Sequence, residues 1–365
     1  MMKRILTVVG ARPQFIKAAA VSRRLSQSSD VSECLIHTGQ HHDSNMSDIF
    51  FEDLGIPAPA HHLEISGLSH GAMTGRMLEQ LEAVMQHEKP AIVLVYGDTN
   101  STLAGALAAA KLHIPVAHVE AGLRSFNRAM PEEINRVLTD HCSDLLFTPT
   151  DRATANLRHE GLPTDRIAQV GDVMYDAALY FGSKADERGG GPAAHGVEPG
   201  RYVLATVHRQ ENTDHPARLR VILEALQAMT AEIPVLLPVH PRTRGRIASE
   251  GLDDLTRGIS LLPPLGYLEM IGLVRHAAVI ATDSGGVQKE AFFYRIPCVT
   301  LRNETEWTEL VEAGWNRLAP PDDARRLADD INSAIGRPGR DVAPYGDGDA
   351  AGRIARSLSY NLGYR

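Results

Sequence analysis

The stretch IPVAHVEAGLRSFNRAMPEEINR, residues 114–136, indicates how the amino-terminal half of the chain folds. It opens with an apolar, β-branched run that stops at Glu120, and a glycine turns the chain two residues later. Further on, Pro131 precedes a pair of glutamates that begins with Glu132, a pattern typical of the first turn of a helix. We therefore predict Glu120 at the carboxyl end of a strand and Glu132 at the start of a helix.

A second apolar run, residues 91–96, ends in a Gly-Asp turn that carries Asp98. In an open α/β sheet, ligands bind in the crevice outside the carboxyl ends of the strands. We therefore predict that two strand ends and one helix start bring Asp98, Glu120 and Glu132 to one crevice. The alternative is that each acid only caps a helix or opposes its dipole. Carboxylates held close together cost stability, however, which favours a functional reason for all three.

Length and composition restrict the class of protein. At 365 residues the chain is long for a single hydrophobic core, so we expect two domains. Its 37 basic and 45 acidic residues give a net charge of −8, which argues against a nucleic-acid partner. Three widely spaced cysteines make neither a disulfide framework nor a thiolate metal site. Because no apolar segment could span a bilayer and no signal-peptide pattern is present, we expect a cytoplasmic protein with no membrane partner.

A third apolar run, residues 5–9, ends at Gly10 and predicts a buried parallel strand. Pro13 then favours a helix start, so Arg12 and Lys17 lie in and just after a strand-to-helix turn. Backbone N–H groups and cationic side chains in such a turn suit a phosphate. The alternative for both cations is an ordinary solvated helix face. The G-x-G-x-x-G fingerprint of dinucleotide-binding proteins is absent from this turn.

The carboxyl-terminal half repeats the alternation of apolar strands and helices, and polar residues follow three of its strands. The residues in these turns include His208, Arg209, His240, Ser284, Gly285 and Gly286. The two glycines permit close backbone approach, and the helix start behind them offers N–H donors to an anion, so this turn predicts a phosphate site. Glu290, about one turn further on, would accept hydrogen bonds from sugar hydroxyls. The alternative for Glu290 is an acid on a helix face.

The alternation of strands and helices in both halves predicts an α/β fold with two Rossmann-like domains. Residues 183–200 are charged and glycine-rich, which is the strongest loop signal in the chain. We predict an amino-terminal domain over residues 1–172 and a carboxyl-terminal domain over residues 173–344. The last helix, residues 345–365, would pack back onto the first domain.

A cluster of possible metal ligands accompanies the second predicted strand: His37, His41, His42 and Asp43. Neighbouring residues on a strand point to opposite faces, so this spacing is poor for joint ligation, and we predict no metal. The alternative is a metal-dependent hydrolase that uses His37, His41, Asp43 and Asp98. Insensitivity of the activity to chelators would exclude that alternative.

Several motifs, in order along the chain, are together similar to one protein family. They are GARPQFIK, VYGDTNSTLAGALAA, VAHVEAGLR, PEEINR, TVHRQEN, PVHPR, TDSGGVQKEA and PYGDG. They run from Gly10 to Gly348 and resemble the non-hydrolysing UDP-N-acetylglucosamine 2-epimerase family. The resemblance implies the GT-B fold, in which two Rossmann-like domains with parallel sheets face each other across a cleft.

The resemblance also implies a reaction. Family members interconvert UDP-GlcNAc and UDP-ManNAc without a cofactor, by eliminating UDP across C1–C2 to give 2-acetamidoglucal and then re-adding it. The departing UDP needs a preorganised site of cations and N–H donors. Two groups on opposite faces of C2 must exchange protons, a task that suits carboxylates. A UDP-sugar is therefore the expected partner, and family members are often homodimers.

By position, the motifs assign roles to residues of this chain. The implied catalytic residues are Asp98, Glu120, Glu132 and His208, of which His208 would steady the leaving phosphate. The implied substrate- and UDP-binding residues are Arg12, Lys17, Arg136, Arg209, His240, Ser284, Gly285, Gly286, Glu290 and Arg302. Gln40 and His41 match a loop near which some family members bind a second, activating substrate molecule.

Three positions depart from the commonest family pattern. Gln14 and Phe15 stand where an acid and a small residue are usual, and Trp307 stands where an arginine contacts the ligand. This pattern is similar to the branch that acts on UDP-2,3-diacetamido-2,3-dideoxy-glucuronate, which is made for surface polysaccharides such as O-antigen. We expect the substitutions to lie in turns that meet the sugar. A missing acid at Gln14 would suit a substrate that carries a carboxylate.

Two alternatives of other classes share this fold and ligand. A GT-B glycosyltransferase would have a similar UDP site, and formation of the 2-epimer without an acceptor separates the two activities. A non-catalytic UDP-sugar sensor would bind the nucleotide but incorporate no solvent deuterium at C2.

Overall fold

The computed structural model describes residues 2–40, 55–187, 189 and 191–363. The chain divides into two compact units. Unit 1 comprises Met1–Ala177 and Ala343–Arg365, and unit 2 comprises Ala178–Val342. In the part of the chain that is described, no helix is both long and apolar enough to cross a membrane.

Unit 1 alternates strands and helices from its first residues onward. Its strands are β1 (Lys3–Val9), β2 (Val31–His37), β3 (His61–His62), β4 (Ile92–Tyr96), β5 (Val116–Val119), β6 (Leu145–Thr148) and β7 (Ile167–Gln169). Its helices are α1 (Arg12–Leu25), α2 (His70–Glu88), α3 (Asn100–Lys111), α4 (Pro131–Cys142) and α5 (Asp151–His159). Helix α6 (Val173–Glu187) begins in unit 1 and ends in unit 2.

Unit 2 continues the same alternation. Its strands are β8 (Val203–Thr206), β9 (Val235–Pro238), β10 (Ile259–Leu262), β11 (Val279–Thr282), β12 (Cys298–Thr300) and β13 (Asn316–Leu318). Its helices are α7 (Gln210–Thr213), α8 (Pro216–Met229), α9 (Pro241–Ser249), α10 (Tyr267–His276), α11 (Gly285–Phe293), α12 (Thr308–Glu312) and α13 (Ala324–Ala334). The last helix, α14 (Ala350–Gly363), belongs to unit 1.

Each unit has one sheet in which every strand pair is parallel. The order is β3-β2-β1-β4-β5-β6-β7 in unit 1 and β10-β9-β8-β11-β12-β13 in unit 2. The central strands are continuous apolar runs because helices cover both faces of such sheets. The prediction of an α/β fold with two parallel sheets is confirmed. The strand order reverses between β1 and β4 and between β8 and β11, where α/β folds bind ligands.

The prediction of a loop over residues 183–200 is wrong at its start, since α6 extends to Glu187. Phe181 and Ala185 lie four residues apart and are buried, at 1% and 3% exposure. This helical spacing puts both residues on the buried face of α6. The buried face therefore extends into the charged segment that was predicted to be a loop from its composition. The division between the two units falls inside this helix, between Ala177 and Ala178.

Helix α14 packs against α1, and a buried carboxylate accepts hydrogen bonds from its first turn. Asp176 on α6 accepts hydrogen bonds from the backbone N–H groups of Ala350 at 3.1 Å and of Ala351 at 2.8 Å. These donors are among the groups that the first turn of a helix leaves without partners inside the helix. Asp176 thereby joins the carboxyl-terminal helix to the rest of unit 1.

Burial raises the pKa of Asp176 from 3.8 to about 6, against the opposing effect of the two N–H donors. Between these two values the folded protein holds a proton that the unfolded chain has released. The favourable contribution to stability is therefore full at low pH and is lost as pH rises through the folded pKa. We expect the difference in unfolding free energy between wild type and Asp176→Asn to fall by up to ~3 kcal/mol from about pH 4 to about pH 7. Denaturant titrations of both proteins measure it, and a difference that is independent of pH would contradict the prediction.

Candidate active site

Ion pairs join the turn after β4 to helix α4. Oδ2 of Asp98 lies 2.6 Å from Nη2 of Arg136, and Nη1 of Arg136 lies 2.9 Å from Oε2 of Glu133. Glu133 is buried and also accepts the backbone N–H groups of Ser125 and Phe126 at 2.8 and 3.0 Å. Burial alone would raise the pKa of Glu133, but these hydrogen bonds and Arg136 lower it. A fixed carboxylate therefore holds Arg136 in place as the partner of Asp98.

Asp98 does not cap the helix that follows it, so that alternative is wrong. The N-cap of α3 is Thr99, whose Oγ1 accepts the backbone N–H of Thr102 at 3.3 Å. The backbone carbonyl of Asp98 accepts a hydrogen bond from Nδ2 of Asn135 at 2.9 Å. The carboxylate side chain is 32% exposed. Asp98 therefore lies in a turn fixed by α4, with its side chain partly accessible.

Glu120 directly follows β5, as predicted, and its carboxylate forms an ion pair with Nζ of Lys17. Its backbone φ of +73° is uncommon for a residue other than glycine, and such conformations cluster at functional sites. A Cβ added to Gly97 would lie 3.3 Å from Oε2 of Glu120 and 3.4 Å from Nζ of Lys17. Since Gly97 precedes Asp98, the turns that carry the two acids are adjacent. The Lys17 side chain is 12% exposed, so it does not lie on a solvated helix face.

Glu132 lies in the first turn of α4, as predicted, and is partly buried. Its neighbour Glu133 is the acid that reaches Asp98 through the ion-pair chain. Arg12 is the first residue of α1, just after the turn that follows β1. The catalytic role of Glu132 and the ligand contact of Arg12 stay predictions.

The side chain of Gln14 faces the interior, and the contact of its turn with the sugar stays a prediction. It is 1% exposed, and its Oε1 accepts two backbone N–H groups of the turn after β1, at 2.8 and 3.0 Å. Its Nε2 donates to the carbonyl of Tyr96, at the end of β4, at 2.8 Å. Phe15 is buried as well. The amide of Gln14 is therefore hydrogen-bonded both to the turn after β1 and to the end of β4, the two strands at the switch point.

In unit 2, a buried aspartate organises the turn that carries His208. Both carboxylate oxygens of Asp283 lie 3.1 Å from the backbone nitrogen of His208. Its Oδ2 also accepts the backbone N–H of Arg209 and a side-chain N–H of Asn212, each at 3.0 Å. Nδ1 of His208 lies 3.2 Å from Oδ1 of Asp283. An Nδ1–H donated to this carboxylate leaves Nε2 as the ring atom for a ligand. The His208 side chain is 49% exposed and Asp283 is fully buried.

The turn after β11 combines a helix start with aromatic and cationic side chains. Ser284 caps α11, and its Oγ accepts the N–H of Val287 at 3.4 Å. Nε1 of Trp307 donates to the carbonyl of Gly285 at 2.9 Å. A Cβ added to Gly285 would lie 3.5 Å from Nε1 of Trp307 and 3.8 Å from Nη2 of Arg209. This turn therefore brings together a helix start and a cation, which can bind an anion.

Arg302 lies beneath this turn and is 4% exposed. Its Nε lies 3.0 Å from Oε1 of Glu211, and its Nη1 lies 2.9 Å from Oε2 of Glu306. Burial would lower the pKa of Arg302, but these two acids raise it. Glu306 also lies 3.7 Å from Nη2 of Arg209. Arg302 therefore acts through Glu306 on the more exposed Arg209, and its own contact with UDP stays a prediction.

The remaining predicted residues lie in several parts of the structure. Glu290 lies on α11 and is buried, and His240 is an exposed residue at the N-cap of α9. Oε1 of Gln40 accepts the backbone N–H of Ser101 at 3.0 Å, at the start of α3. His41 lies outside the described residues.

Within the described ranges, Cys34, His61 and Glu88 form the one group of side chains that could hold a metal ion. Their ligand atoms all lie within 4.8 Å of one another. His61 is already hydrogen-bonded to Glu88 at 2.9 Å, and Arg4 forms an ion pair with the same carboxylate. The carboxylate of Glu88 therefore already has two partners within the protein, His61 and Arg4.

The sequence of residues 23–359 matches the family model described as UDP-N-acetylglucosamine 2-epimerase. The chain belongs to this epimerase family. Family membership confirms the resemblance inferred from the motifs, and the epimerase is an isomerase that acts on a UDP-sugar.

Two relatives match almost the whole length of the epimerase. The UDP-2,3-diacetamido-2,3-dideoxy-D-glucuronate 2-epimerase of Pseudomonas aeruginosa is 53% identical over 361 residues, which cover 98% of this chain and 99% of the relative. The UDP-N-acetylglucosamine 2-epimerase of Methanocaldococcus jannaschii is 42% identical over 360 residues, which cover 97% of this chain and 98% of the relative.

Solved structures confirm the fold class. The M. jannaschii enzyme in complex with UDP-GlcNAc and UDP superposes with a TM-score of 0.84 at 41% identity, over 98% of this chain and 99% of that one. The Neisseria meningitidis enzyme bound to UDP-GlcNAc gives a TM-score of 0.87 at 30% identity, over 98% and 100% of the two chains. The GT-B fold predicted from the motifs is therefore confirmed.

The sequence motifs assign no role to two acids of the epimerase's candidate site, Asp283 and Glu133. Asp283 directly follows a buried strand, which is the same signal that indicates a role for Glu120. The motifs assign a role to Glu132 but none to its neighbour Glu133. Their spacing on α4 gives no indication of which one faces Arg136.

Proposed function

We propose that the chain inverts C2 of UDP-2,3-diacetamido-2,3-dideoxy-glucuronate. The observation that carries this choice of sugar is the 53% identity to the P. aeruginosa enzyme of that name over nearly the full length of both chains. The corresponding identity to the M. jannaschii UDP-GlcNAc enzyme is 42%. Trp307, which replaces the usual arginine, contacts the Gly285 turn, so this departure lies beside the proposed UDP site.

The proposed chemistry is an elimination followed by an addition. A base removes the C2 proton while the C1–O bond breaks, and the bonding electrons leave with the β-phosphate oxygen of UDP. The products are a 2-acetamidoglycal and UDP. A proton is then delivered to the opposite face of C2, and a terminal oxygen of the β-phosphate forms a new bond to C1. The net change is inversion at C2, with no oxidant, reductant or metal consumed.

We assign the proton transfers to Asp98, Glu120 and Glu132. The geometry supports the first two, because the turns that carry Asp98 and Glu120 adjoin at Gly97. Each of these carboxylates lies beside a cation, Arg136 or Lys17. In each direction of the reaction one acid begins ionised and takes the C2 proton, and another begins protonated and delivers its proton to the opposite face of C2. Glu132 is included because of its position in the family motif.

We assign the diphosphate to unit 2, where His208, Arg209 and the start of α11 provide donors. His208 would donate from Nε2 to the leaving phosphate oxygen, since Nδ1 is turned to Asp283. Arg209 would bind the diphosphate while Glu306 and Arg302 hold its guanidinium. Ser284, Gly285 and Gly286 supply the helix start, and Glu290 is assigned to the ribose.

The family resemblance alone supports three further proposals. The enzyme would work as a homodimer in the cytoplasm. It would supply a precursor for surface polysaccharide such as O-antigen. Gln40 and His41 would border a second substrate site.

Turnover of the purified enzyme with each of the two UDP-sugars tests the choice of substrate. We expect kcat/KM for the diacetamido-glucuronate to exceed that for UDP-GlcNAc by about 100-fold or more, since buried polar groups built for one sugar reject another. NMR would follow formation of the 2-epimer and entry of solvent deuterium at C2, without acceptor and with a chelator present. A strong preference for UDP-GlcNAc would contradict the proposed substrate, and the absence of C2 exchange with either sugar would contradict the reaction.

A further inference from the structure

A fully buried histidine lies between the two turns that carry the proposed catalytic acids. His118 belongs to β5 and has no exposed surface. Its Nδ1 lies 2.7 Å from Oδ1 of Asp140, and its Nε2 lies 2.8 Å from the backbone carbonyl oxygen of Gly97. Both ring nitrogens therefore face oxygen atoms at hydrogen-bond distance.

The identity of these oxygens decides where the ring hydrogens are. A backbone carbonyl can only accept, so Nε2 of His118 carries a hydrogen. Burial would raise the pKa of Asp140, but His118 and Arg124 lower it. A hydrogen bond joins Nδ1 of His118 to Oδ1 of Asp140. The buried ring is therefore hydrogen-bonded on both sides inside unit 1.

Arg124 and Glu160 extend this buried cluster beyond Asp140. Nη1 of Arg124 lies 2.7 Å from Oδ2 of Asp140, and Nε of Arg124 lies 2.7 Å from Oε1 of Glu160. The Arg124 side chain is 1% exposed. Arg124 thus lies between two acids, and His118 contacts one of them, Asp140. Buried charges are tolerated when they are paired and hydrogen-bonded in this way.

The ring of His118 fixes the peptide that leads into Asp98. Gly97 has a φ of +64°, a conformation that favours glycine. Its N–H donates to the carbonyl of Val119 at 3.0 Å, and its carbonyl accepts from Nε2 of His118. Both ends of Gly97 are therefore attached to β5, the strand that leads into Glu120.

Asp140, the other partner of the ring, fixes the turn after Glu120. Its Oδ2 accepts the backbone N–H of Gly122 at 3.1 Å. Gly122 has a φ of +81°, and a Cβ there would lie 2.3 Å from the carbonyl oxygen of Ala153, so this turn is both unusual and tightly packed. One buried pair thus contacts the turn before Asp98 and the turn after Glu120.

We propose that His118 is a positioning residue for epimerisation, which, with Asp140, sets the distance between the carboxylates of Asp98 and Glu120. The proposal rests on the proposed function, in which these two acids exchange the C2 protons. His118 does not touch the substrate. Its effect is on the geometry of the proton transfers, where small displacements are costly.

Two substitutions separate the two hydrogen bonds of the ring. His118→Asn keeps a donor near the position of Nδ1, and His118→Gln keeps one near the position of Nε2. We expect each variant to lower kcat and the rate of C2 deuterium exchange by about 10- to 100-fold. The KM for the UDP-sugar and the Kd for UDP are expected to stay within about twofold of wild type, because the diphosphate is assigned to other residues. Wild-type kcat in both variants, or a change confined to KM, would overturn the proposal.

Leu81→Ala is the matched control for lost stability. Leu81 is fully buried on α2 and belongs to the same unit, so its truncation lowers the melting temperature without touching the two turns. Below its melting temperature this variant is expected to keep the wild-type kcat. If Leu81→Ala loses as much kcat as the His118 variants at equal melting temperature, the positioning role is wrong.

Nitrogen-15 NMR of the wild-type enzyme tests the hydrogen bond from His118 to Gly97 independently of any variant's folding or activity. We expect Nε2 of His118 to carry a hydrogen, because the carbonyl oxygen of Gly97 can only accept. An Nε2 without a hydrogen would overturn the inference. Asp98→Asn separates this inference from the proposed function: if that variant keeps C2 exchange, the assignment of the acids falls whatever His118 does. If it loses exchange while the His118 variants keep it, only the positioning role falls.

Discussion

Replacing Asp98 by asparagine, or Glu120 by glutamine, is expected to slow exchange of the C2 proton by about 10²- to 10⁴-fold. An amide has nearly the shape of the carboxylate but cannot accept the C2 proton. Each substitution also removes one half of an ion pair, Asp98 with Arg136 or Glu120 with Lys17. Solvent deuterium incorporation at C2, followed by proton NMR, measures the effect directly because it reports proton removal without requiring completed inversion.

Matched controls for these two substitutions lie on the surface of the same unit. Asp165→Asn and Glu79→Gln make the same chemical changes at exposed positions and are expected to leave exchange unchanged. The affinity of both active-site variants for UDP should stay close to wild type, since the diphosphate is assigned to unit 2. Wild-type exchange in both variants would remove Asp98 and Glu120 from the mechanism. Loss of UDP affinity together with exchange would indicate misfolding instead.

The sequence predicted the elements of the site more fully than the pairings between them. Strand ends and helix starts follow from local patterns such as an apolar run that stops at an acid, which is how Asp98, Glu120 and His208 were found. The ion pair between Lys17 and Glu120 joins residues 103 positions apart. No local pattern contains such a pairing, because it depends on the order of strands in the sheet.

Gln14 shows why side-chain direction was the weakest part of the sequence interpretation. The position of its turn at a switch point predicts that the turn meets the sugar but does not indicate that the Gln14 side chain is buried. In the structure the amide has one oxygen and one NH₂ group, which suit a site with both donors and acceptors, and the backbone around it supplies both. Helix α6 is a second case, because the buried positions of Phe181 and Ala185 overrode a composition typical of a loop.

Replacing Asp283 by asparagine is expected to weaken UDP binding about 100-fold and to lower the unfolding free energy by about 3 kcal/mol. The buried carboxylate accepts the N–H groups of His208 and Arg209 and a side-chain N–H of Asn212. An amide keeps one accepting oxygen and turns an NH₂ group towards donors, so at least one buried N–H loses its partner. Calorimetric titration with UDP and denaturant unfolding measure the two effects.

The two effects of Asp283→Asn have different origins, and Asp254→Asn serves as the control. Asp254 is also in unit 2 but is 82% exposed, so its substitution should change neither quantity. The stability loss follows from the unsatisfied donors, whereas the loss of affinity requires that the turn carrying His208 and Arg209 binds the diphosphate. A variant that is destabilised but binds UDP with wild-type affinity would therefore separate the two. It would show that Asp283 supports the fold at the β8–β11 switch point while the phosphate is held by other groups, and the assignment of His208 to the leaving group would have to be withdrawn.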